Sequence, residues 1–164
     1  MSSPRAGWLT SVFTLILIFA CLTMTACTAS VTYSDNVAVN DLASVVDSVL
    51  PESDKYASVP ETYIINRIGI DESLFEECTV KINDADEYGI FKAASEENTE
   101  AIEAALNEYF ESKTVEWSQY RTDELHKLEN ATVKVMGKYV IFAIHDEDVK
   151  TELFTKAENE LLVK

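Results

Sequence analysis

Cysteine, glycine, proline, histidine and basic charge are all scarce in this chain, and each shortage excludes something. Three cysteines in 164 residues (Cys21, Cys27 and Cys78) cannot make a disulfide scaffold. Four glycines and three prolines, beside 47% hydrophobic residues, exclude collagen-like and disordered chains. No glycine-rich nucleotide turn, P-loop, Gly-x-Ser-x-Gly or His-Glu-x-x-His occurs, so the common catalytic signatures are absent. Lys and Arg number 13 against 29 Asp and Glu, a net charge of −16. Such a chain has little with which to neutralise a phosphate backbone, and nucleic acid is not an expected partner. What remains is enough apolar material, at this length, for one compact domain with a real core.

The charge is unevenly distributed. Residues 1–27 carry only Arg5, which leaves 12 basic and 29 acidic side chains, a net of −17, on everything after Cys27. Met1–Gly7 is short and basic, Trp8–Leu22 is an almost unbroken apolar run, and Met24-Thr25-Ala26-Cys27 follows. A basic start, an apolar middle and small residues at the end make a secretory signal peptide, expected over 1–26. The cysteine resembles that of a bacterial lipobox, in which diacylglycerol is attached to sulfur and cleavage leaves Cys27 first. Met24 stands where that pattern usually has Leu, and Cys21 is a second, poorer candidate behind bulky Phe19. Two acyl chains suffice for stable anchoring where one is marginal. The alternative is an uncleaved helix over residues 8–27, long enough to span a bilayer. Threonines at 23, 25 and 28 favour cleavage. Either way the acidic domain is expected on the extracytoplasmic face of the cell membrane. With Cys27 lipidated, Cys78 has no partner for an intramolecular disulfide. It reads as a small buried residue on a strand, the alternative being a reactive thiol or an intermolecular bridge.

Residues 27–39 read as a polar tether and 40–164 as a single domain. Asn40 is a candidate N-cap for a helix carrying Leu42, Val45, Val46, Val49 and Leu50, stopped by Pro51. Residues 51–60 lie between two prolines and read as a loop, and Glu61–Ile70 suits either a short helix or an extended segment. Cys78, Val80 and Ile82 alternate with polar residues as in a strand. Asn83–Asp86 has turn chemistry, and Tyr88–Ala94 forms the returning strand. Ser95 or Asn98 is expected to cap a long helix whose stripe is Ile102, Leu106, Tyr109, Phe110, Trp117 and Tyr120, with Lys113 inside it. Thr122 opens an extra turn carrying Leu125 and Leu128. Thr132–Met136 and Tyr139–Ile144 flank Gly137-Lys138, a pair suited to a type II′ turn. That register sets Val135 opposite Val140 and Val133 opposite Phe142. Asp146 is expected to cap a last helix with the stripe Val149, Leu153, Phe154, Ala157 and Leu161. The expected fold is α+β: helix, hairpin, helix, hairpin, helix, with a four-stranded antiparallel sheet and helices mainly on one face.

Several of these features occur together in order: the lipobox-like start, Leu50-Pro51, Asp86-Glu87-Tyr88-Gly89-Ile90-Phe91-Lys92, and Gly137-Lys138-Tyr139-Val140. In this the chain resembles small Gram-positive (clostridia-type) bacterial lipoproteins with a domain of unknown function, over about residues 40–160. The motifs are packing and turn motifs. The resemblance implies a location and a fold, and carries no catalytic residue.

The chemistry on offer is sparse. His145 beside Asp146-Glu147-Asp148 suits a divalent cation, but a strand running into an acid-rich helix start accounts for the same residues. His126, between acidic and basic neighbours, reads as a surface residue. Asn83-Asp84-Ala85-Asp86-Glu87 lacks the glycine and the terminal bidentate Glu of a calcium loop, and reads as a turn. Among 29 acids, two lying close together would carry little information about glycoside hydrolysis. Asn130-Ala131-Thr132 fits a glycosylation sequon to which no weight is given. Tyr109, Trp117 and Tyr120 suit either a binding groove or the core face of their helix. The expectation is therefore a non-enzymatic, membrane-anchored module that binds a protein or an envelope component, without cofactor. The alternatives are a carboxylate-dependent hydrolase of cell-wall polymers and a weak divalent-cation binder.

Overall fold

The computed structural model describes residues 31–163. The signal peptide expected over residues 1–26, Cys21 and Cys27 lie outside the described residues. Within the stretch read as a tether, Tyr33 forms a bridge to Leu162, Ser34 N–H donates to Leu161 O at 2.7 Å, and Val163 N–H donates to Thr32 O at 3.1 Å. The Tyr139 hydroxyl reaches Val37 O at 2.6 Å. Residues 32–37 are thus fastened to the domain.

Helix α1 (Val39–Asp47) starts one residue before the expected cap Asn40, with Ala38 at the N-cap and no side-chain cap of its own. Its first N–H is instead taken by a distant carboxylate, Glu77 Oε2, at 3.0 Å from Val39 N. A two-residue strand β1 (Ala57–Ser58) follows, and then α2 (Glu61–Tyr63), which runs on as a π-helical turn over Ile64–Ile68. The ambiguous segment is therefore helical, and Gly69, at φ +86°, closes it in the left-handed conformation. Strands β2 (Phe75–Asn83) and β3 (Asp86–Ala93) form the first hairpin. Helix α3 (Asn98–Tyr120) and the short α4 (Leu125–Glu129) lead to the second hairpin, β4 (Thr132–Met136) and β5 (Tyr139–Ile144), and α5 (Glu147–Leu161) ends the domain. Neither Ser95 nor Asn98 caps α3; Glu97 occupies that position, and the Asn98 amide turns to Leu74 O. Asp146 stands at the N-cap of α5, but its side chain makes no capping bond.

The second hairpin has the expected register, Val135 opposite Val140 and Val133 opposite Phe142. Gly137 has φ +60° while Lys138 does not take a positive φ, the pattern of a type II′ turn. The two hairpins join through β3 and β5, giving the antiparallel order β1-β2-β3-β5-β4.

Two points correct the sequence expectation. The sheet has five strands rather than four, because Ala57 and Ser58 pair with Ile82 and Lys81 at its edge. Both residues are exposed, so no apolar alternation marks the strand. Helices also cover both faces of the sheet. On one face α3, α4 and the π-helical turn pack on Val80, Phe91, Val140, Phe142 and Ile144. On the other α1 and α5 pack on Tyr88, Ile90, Tyr139, Ile141 and Ala143. The reason is legible in β5: all six residues of Tyr-Val-Ile-Phe-Ala-Ile are buried, and an unbroken apolar strand needs cover on two sides. Among the described residues no helix is long and apolar enough to cross a membrane.

Candidate functional site

The β2–β3 turn is acidic, and each of its carboxylates is matched to a different cation. Asp84, itself at φ +57°, meets Arg121 at 2.8 Å just beyond α3. Asp86 meets Lys127 of α4 at 2.8 Å. Glu87, fully buried, bonds Lys113 of α3. This is hairpin chemistry, as the sequence suggested, and it ties the end of the sheet to the helices that cover one face.

The Glu87 pair sits deepest. Tyr109 Oη lies 3.0 Å from both carboxylate oxygens and 3.2 Å from Tyr63 Oη. The Lys113 ammonium also lies 5.0 Å and 5.1 Å from the ring centres of Tyr109 and Trp117. Burial, then the charge of Glu87, pushes the Tyr109 phenol far above its ordinary range. Tyr109 and Trp117 are thus core residues, and so is Lys113, whose place within the stripe is explained by Glu87. Tyr120 is not: it is 80% exposed at the end of α3.

A second polar cluster surrounds His145, which is 4% exposed. Its Nε2 lies 2.9 Å from Tyr56 Oη and 3.6 Å from Asp86 Oδ2, and its Nδ1 accepts the Asp146 N–H at 2.9 Å. A small recess of about 230 Å³ opens beside it, lined by His126, Asn130, His145, Asp146 and Glu147. The acids after His145 do not converge on it. Asp146 faces His126 and Lys127, Glu147 bonds Lys150 at 2.8 Å, and Asp148 turns to Val149 N. Among the described residues no three His, Cys, Asp or Glu side chains are grouped to hold a metal ion. Burial weighs against the Lys127 ammonium, but its bonds to Asp86 and Glu124 outweigh this and raise its pKa. His126, at the rim, is a surface residue. Cys78 faces Phe91 from β2, and burial, then the charge of Glu61, pushes its thiol up to about 11. That is the behaviour of a packing residue rather than of a nucleophile.

A groove of about 580 Å³ opens between α3 and the α4–β4 connection. Phe110 and Leu128, both buried, form its floor, Ala131 and Val115 its apolar sides, and Glu111 and Glu129 its acidic rim. Val115 is 64% exposed, and among the described residues no basic side chain lines the groove. None of the three candidate aromatics lines it either. The sequence signal for it was slight: one β-branched residue, Val115, lying off the apolar stripe of an otherwise acidic helix.

A family model described as a domain of unknown function (DUF4358) matches residues 51–145. The match takes in all five strands and the helices of one face, with the groove and His145, and leaves α1 and α5 outside. No curated protein and no solved structure matches the chain.

Proposed function

The chain belongs to the DUF4358 family, and from that premise we propose that it is a membrane-anchored, extracytoplasmic lipoprotein whose folded domain binds a polypeptide without catalysis. The leader and Cys27 support the anchor, as the sequence pattern argues. The observation that carries the binding reading is the groove between α3 and α4. Its floor is apolar, its rim is acidic through Glu111 and Glu129, and its one large exposed hydrophobic side chain among the described residues is Val115. Charge complementarity selects the occupant: a segment with apolar side chains for the floor, flanked by Lys or Arg for the rim. Buried Lys113 pairs with Glu87 and half-buried Lys127 with Asp86, so the carboxylates nearest the sheet end are engaged in holding the fold.

The anchor is tested by mass spectrometry of the membrane fraction. A diacylglyceryl Cys27 at the mature N-terminus supports it, and an intact, unmodified N-terminus overturns it. The binding reading is tested in intact cells with a photo-crosslinking residue at Thr114, inside the groove. A crosslinked peptide with apolar residues beside Lys or Arg, lost with Val115→Asp, supports the reading. Crosslinks only to lipid or glycan, or to a second copy of this chain, overturn it, as do crosslinks that Val115→Asp leaves intact.

A further inference from the structure

His145 occupies a position that neither the groove nor the anchor uses. It follows the last residue of β5 and precedes Asp146, the N-cap of α5. Because Nδ1 accepts the Asp146 N–H, that nitrogen carries no proton, and the neutral ring must hold its hydrogen on Nε2. From there it donates to Tyr56 Oη at 2.9 Å, with Asp86 Oδ2 next nearest at 3.6 Å. The ring is thus held at both nitrogens, between the segment that carries Tyr56, strand β3 and the start of α5.

We propose that His145 is a proton-operated latch that seats the first turn of α5 while neutral and releases it on protonation. An added proton places an N–H on Nδ1 facing the Asp146 N–H, so two donors oppose each other and the amide loses its acceptor. The same proton makes the ring a cation beside Asp86 Oδ2. Asp86 is already held through its other oxygen by Lys127, which also reaches Glu124 at 3.1 Å and Asp146 at 3.8 Å. The charges of Asp86, Asp146 and Asp148 favour the cationic ring and that of Lys127 opposes it, so the ring turns toward carboxylates and gives up the Asp146 amide. The titratable and charged groups around it are Tyr56, Asp86 from β3, Lys127 and His126 from α4, and, bonded elsewhere, Asp146, Glu147 and Asp148 at the start of α5. Burial, more than any of these charges, holds the His145 pKa below its ordinary value, so the latch is closed at neutral pH. The Asp146 side chain does not cap α5. The recess beside His126, Asn130 and Glu147 gives the freed turn room to move.

The test uses the full-length chain, isotopically labelled in detergent micelles and titrated from neutral to acid pH. At neutral pH His145 is expected as the Nε2–H tautomer. The amide signals of Asp146 and Lys150, the latter bonded to Asp146 O at 3.0 Å, should move with its titration below pH 6.5. Their exchange protection should fall by about tenfold per pH unit as pH drops from 6.5 toward the His145 midpoint and level off below it, the course of a one-proton opening. His145→Asn keeps an acceptor oxygen near the Nδ1 position and should abolish the response. The proposal is overturned by an Nδ1–H tautomer, by amides that ignore the His145 titration, or by the same response in His145→Asn. Should that variant fail to fold, the wild-type titration decides alone.

Discussion

Glu87 of β3 and Lys113 of α3 form an ion pair inside the protein, with the carboxylate wholly buried and the ammonium between two aromatic rings. Removing one partner of such a pair strands the other charge in an apolar setting. Lys113→Met should therefore cost about 3–5 kcal/mol of stability in urea unfolding. Glu87→Gln added to it removes the stranded charge while leaving Tyr109 an acceptor. The double variant should be more stable than Lys113→Met alone. Additive losses would mean that the two groups are not coupled.

Gly89 sits opposite Phe142 where β3 meets β5, and a Cβ there would lie 2.2 Å from the ring and 2.9 Å from Val80. The ring cannot easily retreat, since it packs on Phe91 and Phe110. Gly89→Ala should destabilise by about 1–3 kcal/mol through overpacking. Phe142→Leu in the same chain should recover part of that loss in thermal unfolding. An undiminished Gly89→Ala melting curve would mean that the sheet gives way more readily than this packing implies.

Trp117 and Tyr120 share one apolar pattern in the sequence, yet they have opposite surroundings. Trp117 is 5% exposed and faces Lys113, whereas Tyr120, at the C-terminal end of α3, is largely in solvent. Trp117→Ala should cost about 3–5 kcal/mol. Tyr120→Ala should stay within about 0.5 kcal/mol of the parent, as exposed substitutions do. Urea midpoints of the two variants separate these cases.

How far the sequence could be read follows from which signals are local. The β4–β5 hairpin was legible because turn and register depend on neighbours: Gly137-Lys138 sets the reversal, and the apolar residues then fall opposite one another. The caps were not. Val39 N–H is satisfied by Glu77, which is remote in sequence, and Asp146 is diverted to His126 and Lys127. Both are tertiary effects that no short window contains. The two-sided sheet is written in the unbroken apolar run of β5, whereas the alternation of β2 suits a sheet covered on one face only. The candidate site was least legible. A groove comes from what α4 and Ala131 fail to fill, and a short helix and a small side chain leave no mark of their own in a sequence.

Cys78 gives a chemical test of its burial. A thiol raised from an ordinary 9 to about 11 holds about a hundredfold less thiolate at pH 8. Alkylation at pH 8, followed peptide by peptide, should be slower at Cys78 by about that factor in the native chain than in urea. Equal rates in both states would place the thiol in solvent and reopen the reading of Cys78 as a reactive residue.

His145 also leaves a signature in global stability, with a definite sign. Its folded pKa lies below the unfolded value of 6.5, so the unfolded chain takes up the proton first. Its contribution is complete above pH 6.5 and is lost as pH falls from there toward the folded pKa. Other acids titrate further down, and a net charge of −16 adds a repulsion that acidification relieves. The difference between parent and His145→Asn removes these shared effects. That difference in unfolding free energy should be flat above pH 7 and shift against the parent as pH falls below 6.5. A parallel pair of curves across that range would mean that His145 takes up its proton equally well in the folded and unfolded chain.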